Sequence, residues 1–111
     1  MEIQFFLDKK ESATSSELLG EIRLSDGRNT ISERLTYIDS WLEALEAGAK
    51  SLRDKNTASI DLIEEPNPLT FQKRDDYIKL SYGNMFIFAN TVDEICSSVQ
   101  IALNQIDEIR Q

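Results

Sequence analysis

The chain contains no histidine. That removes the commonest general base near neutral pH and the commonest metal ligand. No Ser–His–Asp or Cys–His arrangement is possible. There is one cysteine, Cys96, so no internal disulfide can form, which suits a reducing compartment. Cys96 falls near the start of a predicted helix. It borders that helix's apolar stripe and has no basic neighbour in sequence, so a packed structural thiol is expected there. No apolar run approaches the roughly 20 residues that a membrane helix needs. The opening Met-Glu-Ile-Gln-Phe-Phe-Leu-Asp lacks the basic start and long apolar core of a secretion signal. A cytoplasmic protein is expected. Phosphate loops, dinucleotide fingerprints, zinc spacings and calcium loops are all missing, so no cofactor or metal is expected.

Positive charge is also scarce. Twelve Lys and Arg stand against 20 Asp and Glu, for a net charge of -8. Phosphate backbones and anionic membranes repel such a chain, and basic partners attract it. The basic doublets are Lys9-Lys10 and Lys73-Arg74, each with acidic residues beside it. No nucleic acid or membrane partner is expected.

What is present is patterned. The 111 residues suit one domain, residues 1–111, with hydrophobic and charged contents of 41% and 29% that are ordinary for a globular protein. From Leu69 to Ala89, three runs of period-2 alternation are separated by Asp75-Asp76 and Gly83-Asn84, the mark of consecutive hairpins. Two-residue turns would pair Phe71 with Leu80, Leu69 with Tyr82 and Lys73 with Ile78. They would then pair Tyr82 with Met85, Leu80 with Ile87 and Ile78 with Ala89. Leu69, Phe71, Ile78, Leu80, Tyr82, Met85, Ile87 and Ala89 then share one face, while Phe86 and Phe88 fall on the other, and a slip of one residue would scatter the first set.

Elsewhere, Met1–Asp8 alternates as a strand with Ile3, Phe5 and Leu7 on one side and Phe6 on the other. The segment 9–16, rich in charge, Ser and Thr, reads as a loop. Leu18–Tyr37 reads as a hairpin turned at Asp26-Gly27, pairing Ile22 with Ile31 and Leu18 with Leu35 on the inner face. Gly20 opposite Glu33 misfits and suggests a bulge or a sheet edge. Ile38–Leu52 has a helical stripe of Ile38, Trp41, Leu42, Leu45, Ala49 and Leu52. Either Ser40 with Glu43 or Thr36 with Asp39 could box its start. Gly48 weakens this helix unless something packs closely on it. Thr57–Ile63 reads as a strand with Ala58, Ile60 and Leu62 inward. Glu64-Glu65-Pro66-Asn67-Pro68 holds both prolines and reads as a rigid exposed connection. Thr91 with Glu94 boxes a last helix whose stripe is Val92, Ile95, Val99, Ala102, Leu103, Ile106 and Ile109, with Ile101 opposite. The order is β-β-β-α-β-β-β-β-α. The expected fold is α+β, a largely antiparallel sheet of hairpins with both helices packed on one face.

Carboxylate pairs occur at Glu64-Glu65, Asp75-Asp76, Asp93-Glu94 and Asp107-Glu108. Turn, cap and surface roles account for each, so no catalytic site is expected. Two surfaces remain as partner-binding candidates. One is acidic, built from Asp61, Glu64, Glu65, Asp75 and Asp76. The other is the sheet face away from the helices, where Phe86, Phe88 and Phe6 would stand exposed, with Ile63 near them.

A small acidic α+β chain with Tyr37-Ile38-Asp39-Ser40-Trp41 opening a helix, and Glu64-Glu65-Pro66-Asn67-Pro68 leading into a meander, resembles the immunity proteins of bacterial contact-dependent and polymorphic toxin systems. The resemblance implies a cytosolic inhibitor that binds a toxin domain, often a basic nuclease, and occludes its active site. It assigns no role to any single residue. In size and acidity the chain also resembles type III secretion chaperones, which would imply a homodimeric adaptor. It departs from them by opening on a strand.

Overall fold

The computed structural model describes residues 1–8 and 18–110. The loop expected at 9–16 lies outside them. The elements are β1 (Glu2–Leu7), β2 (Leu19–Ser25), β3 (Thr30–Tyr37), α1 (Ile38–Ser51), β4 (Thr57–Ile60), β5 (Leu69–Lys73), β6 (Ile78–Tyr82), β7 (Met85–Ala89) and α2 (Val92–Arg110). The fold is α+β, in the element order expected.

The meander closes in the register that two-residue turns dictate: Phe71 opposite Leu80, Leu69 opposite Tyr82, Leu80 opposite Ile87 and Ile78 opposite Ala89. Leu69, Phe71, Ile78, Leu80, Tyr82, Ile87 and Ala89 are all buried. The strands divide into two antiparallel sheets, β1-β2-β3 and β4-β5-β6-β7. The edges β3 and β7 lie beside each other. Helix α1 packs on β2, β4 and β5, and α2 packs on β1, β7 and α1. The two helices therefore cover both sheets and share one core.

The β2–β3 hairpin differs from its expected register. Leu24, not Ile22, faces Ile31, and Ile22 faces Glu33. The turn is centred one residue later, on Gly27-Arg28, because Asp26 opens it and does not occupy its middle. The Asp26 N–H donates to the Asn29 carbonyl at 3.2 Å. Its Oδ1 accepts from the N–H groups of Arg28 (2.8 Å) and Asn29 (2.7 Å). Gly27 takes φ +94, where a side chain would be strained. A two-residue change of register keeps every side chain on its own face, so Ile22, Leu24 and Ile31 remain buried. The misfit at Gly20 is a bulge, between Gly20 and Ile22. It inserts one residue into β3, and this corrects a further expectation. Leu35 turns outward, 63% exposed, and Thr36 takes the inner position.

Helix α1 begins without either expected capping box; its N-cap, Tyr37, makes no side-chain cap hydrogen bond. The Ile38 N–H donates to the Leu18 carbonyl instead, at 2.9 Å, so backbone just ahead of β2 takes the first donor of the helix. Ser40 and Thr36 are both used elsewhere. Gly48 is explained by packing: the Phe71 ring occupies the place where a Cβ would stand. Strand β4 ends at Ile60, short of the expected Ile63. The cap of α2 forms in part. The Glu94 N–H donates to Thr91 Oγ1 at 3.1 Å, while the Glu94 carboxylate accepts from Asn90 N–H, one residue upstream of the expected partner. Ile109, expected in the buried stripe, is 54% exposed near the end of α2.

Candidate functional site

The outer face of the second sheet follows from strand parity. Residues opposite in pleat to the core set are Thr57 and Ser59 on β4, Thr70 and Gln72 on β5, Lys79 and Ser81 on β6, and Phe86 and Phe88 on β7. Both helices lie on the other face. The aromatics form a run. The Phe86 and Phe88 rings meet edge to face at 5.5 Å, and Phe88 meets Tyr77 in the same way at 5.3 Å. Lys79 Nζ stands 4.9 Å from the Phe86 ring centroid. Phe86 is 39% and Tyr77 41% exposed, while Phe88 between them is half-buried. Edge-to-face pairs of this kind hold their rings in place, at about 1 kcal/mol each. Tyr77 follows directly on Asp75-Asp76, both exposed, and neither aspartate is in an ion pair among the described residues.

The five acids expected on one surface are not brought together. Asp61, Glu64 and Glu65 follow β4, beside the start of β5, and Asp75-Asp76 follow its end. The five residues of β5 hold the two groups roughly 15 Å apart. Glu65, moreover, turns inward. It accepts from the Thr36 hydroxyl at 2.7 Å, and Thr36 Oγ1 in turn accepts from Trp41 Nε1–H at 2.9 Å. The buried Tyr82 hydroxyl donates to Glu33 Oε2 at 2.8 Å, with Glu65 Oε1 at 3.4 Å. This network joins β3, β6, α1 and the Glu64–Pro68 connection. It is a lock between the two sheets, and it explains the loop geometry. Ser40 Oγ accepts from the Ile63 N–H, Leu62 is buried, and Glu64 sits at φ 61, a conformation that an L side chain rarely adopts. What remains outward there is Asp61, Ile63 (49% exposed) and Glu64.

Burial, the hydrogen bond to Glu33 and the charges of Glu65 and Glu33 push the Tyr82 hydroxyl well above its ordinary value of 10. A raised acid contributes stability that is present below the unfolded value and is lost as pH climbs through the folded one. Alkaline unfolding should therefore begin above about pH 10, and Tyr82→Phe should flatten that limb. Tyr82→Phe should also cost about 1–3 kcal/mol at neutral pH, because Glu33 loses its donor. Denaturant titration at neutral and alkaline pH checks both statements.

Phe6 also stands outward, 53% exposed with Arg23 5.6 Å from its ring, but on the first sheet. Ile101 is 61% exposed on α2. Cys96 is half-buried. No group of three or more Cys, Asp or Glu able to hold a metal occurs among the described residues, and no helix there is long and apolar enough to cross a membrane. No protein-family model matches the chain, and neither a curated protein nor a solved structure is significantly similar to it. Function has to be argued from the site alone.

The single residue that sequence reasoning missed is Tyr77. Its parity with Lys79 and Ser81 was a sufficient signal, because it places the ring on the outer face beside Phe88.

Proposed function

We propose that this chain acts by binding another protein, as an immunity protein that neutralises a toxin domain, most simply a basic nuclease, by occluding its active site from the cytoplasm it shares. The observation that carries this reading is the run Phe86–Phe88–Tyr77 on an uncovered sheet face, ending at Asp75-Asp76. Aromatic side chains give the largest contact area for the least lost freedom and dominate interface energetics. The adjoining carboxylates and a net charge of -8 would steer the chain onto a cationic partner and reject phosphate-backed ones. The acids at Asp61 and Glu64, at the far end of the sheet, contribute to the long-range field rather than to this contact.

An immunity protein is expected to be encoded beside its toxin, and the test uses the purified C-terminal domain of that expected neighbour. Replacing Tyr77, Phe86 and Phe88 together by Ala should weaken its binding by 100-fold or more, on the order expected for a central aromatic cluster. The fold should persist, with the melting temperature lowered by roughly 10 °C for the loss of two ring pairs of about 1 kcal/mol each. Reversing Asp75 and Asp76 to Lys should slow association about tenfold at low salt and leave dissociation nearly unchanged. Unchanged affinity in the triple variant would remove this face from the interface.

A further inference from the structure

The outer face that carries the aromatic run has a charge pattern of its own. The chain is acidic, at -8, yet the strand positions on this face include no acid. Their one charged member is Lys79, with Gln72 opposite it on β5 and Phe88 opposite it on β7. Arg74 joins it. The Arg74 N–H donates to the Tyr77 carbonyl at 2.8 Å, the next rung of the β5–β6 ladder after Lys73 and Ile78. Arg74 therefore stands opposite Tyr77, on the same face. Neither cation is in an ion pair among the described residues. Between them in sequence, at the tip of the hairpin, lie the exposed Asp75 and Asp76.

Lys79 is half-buried, and its contact with the Phe86 ring at 4.9 Å holds the ammonium over the aromatic run. A partner laid on this face strips water from that ammonium. Left without a counter-charge, a buried cation opposes binding. Met by a carboxylate, it fixes register and rejects other partners.

Resting on the nuclease-inhibitor reading above, we infer that Lys79 selects the partner by meeting a carboxylate in the surface it covers, one that would otherwise hold a divalent cation. An enzyme that cleaves phosphodiesters with a bound divalent ion needs cations around its cleft for the phosphates. It needs carboxylates in the middle for the metal. The outer face is the converse, with Lys79 and Arg74 within it and Asp75-Asp76 at its rim. The ammonium then takes the place of the metal. Single-stranded nucleic acid also suits cations beside aromatic rings, but the net charge and the rim acids repel it.

Calorimetric titration at fixed ionic strength tests this, with the purified toxin domain expected to be encoded beside this chain as the probe. In the presence of a chelator, Lys79→Met should weaken binding by about 30-fold or more. Met keeps an unbranched apolar stem, so the free chain should melt within a few degrees of wild type. Millimolar magnesium should weaken wild-type binding by about tenfold, through competition for the same carboxylates, and should leave Lys79→Met binding unchanged. Equal affinity of wild type and Lys79→Met would overturn the inference, and so would a magnesium effect of the same size in both. If the variant with Ala at Tyr77, Phe86 and Phe88 still loses affinity, the functional reading survives either result. Unchanged affinity in that triple variant, or no binding by wild type, would strike the functional reading and this inference with it. Binding of a fluorescein-labelled single-stranded oligonucleotide that is lost in Lys79→Met would overturn the carboxylate in favour of phosphate.

Discussion

Gly48→Ala should destabilise the wild-type chain but stabilise the Phe71→Ala variant. On an exposed helix the change to Ala gains about 1 kcal/mol. Here the Phe71 ring lies where the new methyl group would go, and the ring belongs to β5, whose register is held from both sides. It cannot withdraw without leaving a rotamer or shifting the strand. Overpacking of this kind costs about 1–3 kcal/mol, which outweighs the propensity gain. Phe71→Ala alone should cost about 3–5 kcal/mol, since the ring is fully buried between α1 and the second sheet. In that background the clash is gone, part of the cavity is filled and the propensity gain returns. Urea titration of the four chains of the double-mutant cycle reads the coupling directly. A Gly48→Ala effect of the same sign in both backgrounds would show that ring and helix are not in contact.

Asp26→Ala should cost about 2 kcal/mol at neutral pH, and most of that cost should be lost in acid. Partial burial by itself would raise this carboxyl. Hydrogen bonds from the N–H groups of Asn29, Arg28 and Phe88 and from the Asn29 amide outweigh it and hold the value down at about 2. A depressed acid contributes stability that is fully present above its unfolded value and is lost as pH falls through the folded one. The difference between wild type and Asp26→Ala should therefore shrink from about pH 4 downwards and approach the smaller gap between Asp26→Asn and Asp26→Ala near pH 2, where the folded carboxyl titrates. Asp26→Asn should lie between the two, retaining one acceptor oxygen without the charge. The effect is larger than that of an ordinary turn aspartate because the same side chain closes the β2–β3 turn and fixes the β7 edge across the seam between the sheets. A gap between wild type and Asp26→Ala that is independent of pH would contradict this origin.

How much could be read from the chain follows from the range of each interaction. The meander was legible to the residue, because two-residue turns and a two-residue side-chain period leave one register that buries Leu69, Phe71, Leu80 and Ile87 together. The first hairpin was legible as a hairpin and in its faces. Its turn was displaced by one residue, because an aspartate that bonds the two following N–H groups opens a turn and does not sit at its centre. Leu35 was misplaced because a one-residue bulge reverses every side chain beyond it, and only the awkward Gly20 hinted at that. The helix stripes were plain, yet the α1 cap was not. Thr36 and Ser40 had partners some 20 to 30 residues away, Glu65 and Ile63, which no local pattern reveals.

The candidate site divides in the same way. Phe86 and Phe88 could be placed on the open face from alternation alone. The acidic surface could not, because its five members are adjacent only if the two ends of β5 are confused. Glu65 looked like a free surface charge until the second sheet brought Tyr82 to it. The division of the strands into two sheets is likewise a matter of packing. Nothing in β3 or β7 alone says that Asp26 will occupy the donor that a ladder between them would need.

The central functional claim is that the outer face bearing Tyr77, Phe86 and Phe88 acts by covering a toxin's catalytic surface. Titrating the chain into the purified toxin domain that the proposal expects to be encoded beside it, with substrate cleavage as the readout, tests that claim most directly. Activity should fall linearly to zero at one equivalent of wild type, and should persist at several equivalents of the variant with Ala at all three positions. Full activity in excess wild type, or equal inhibition by both chains, would contradict it.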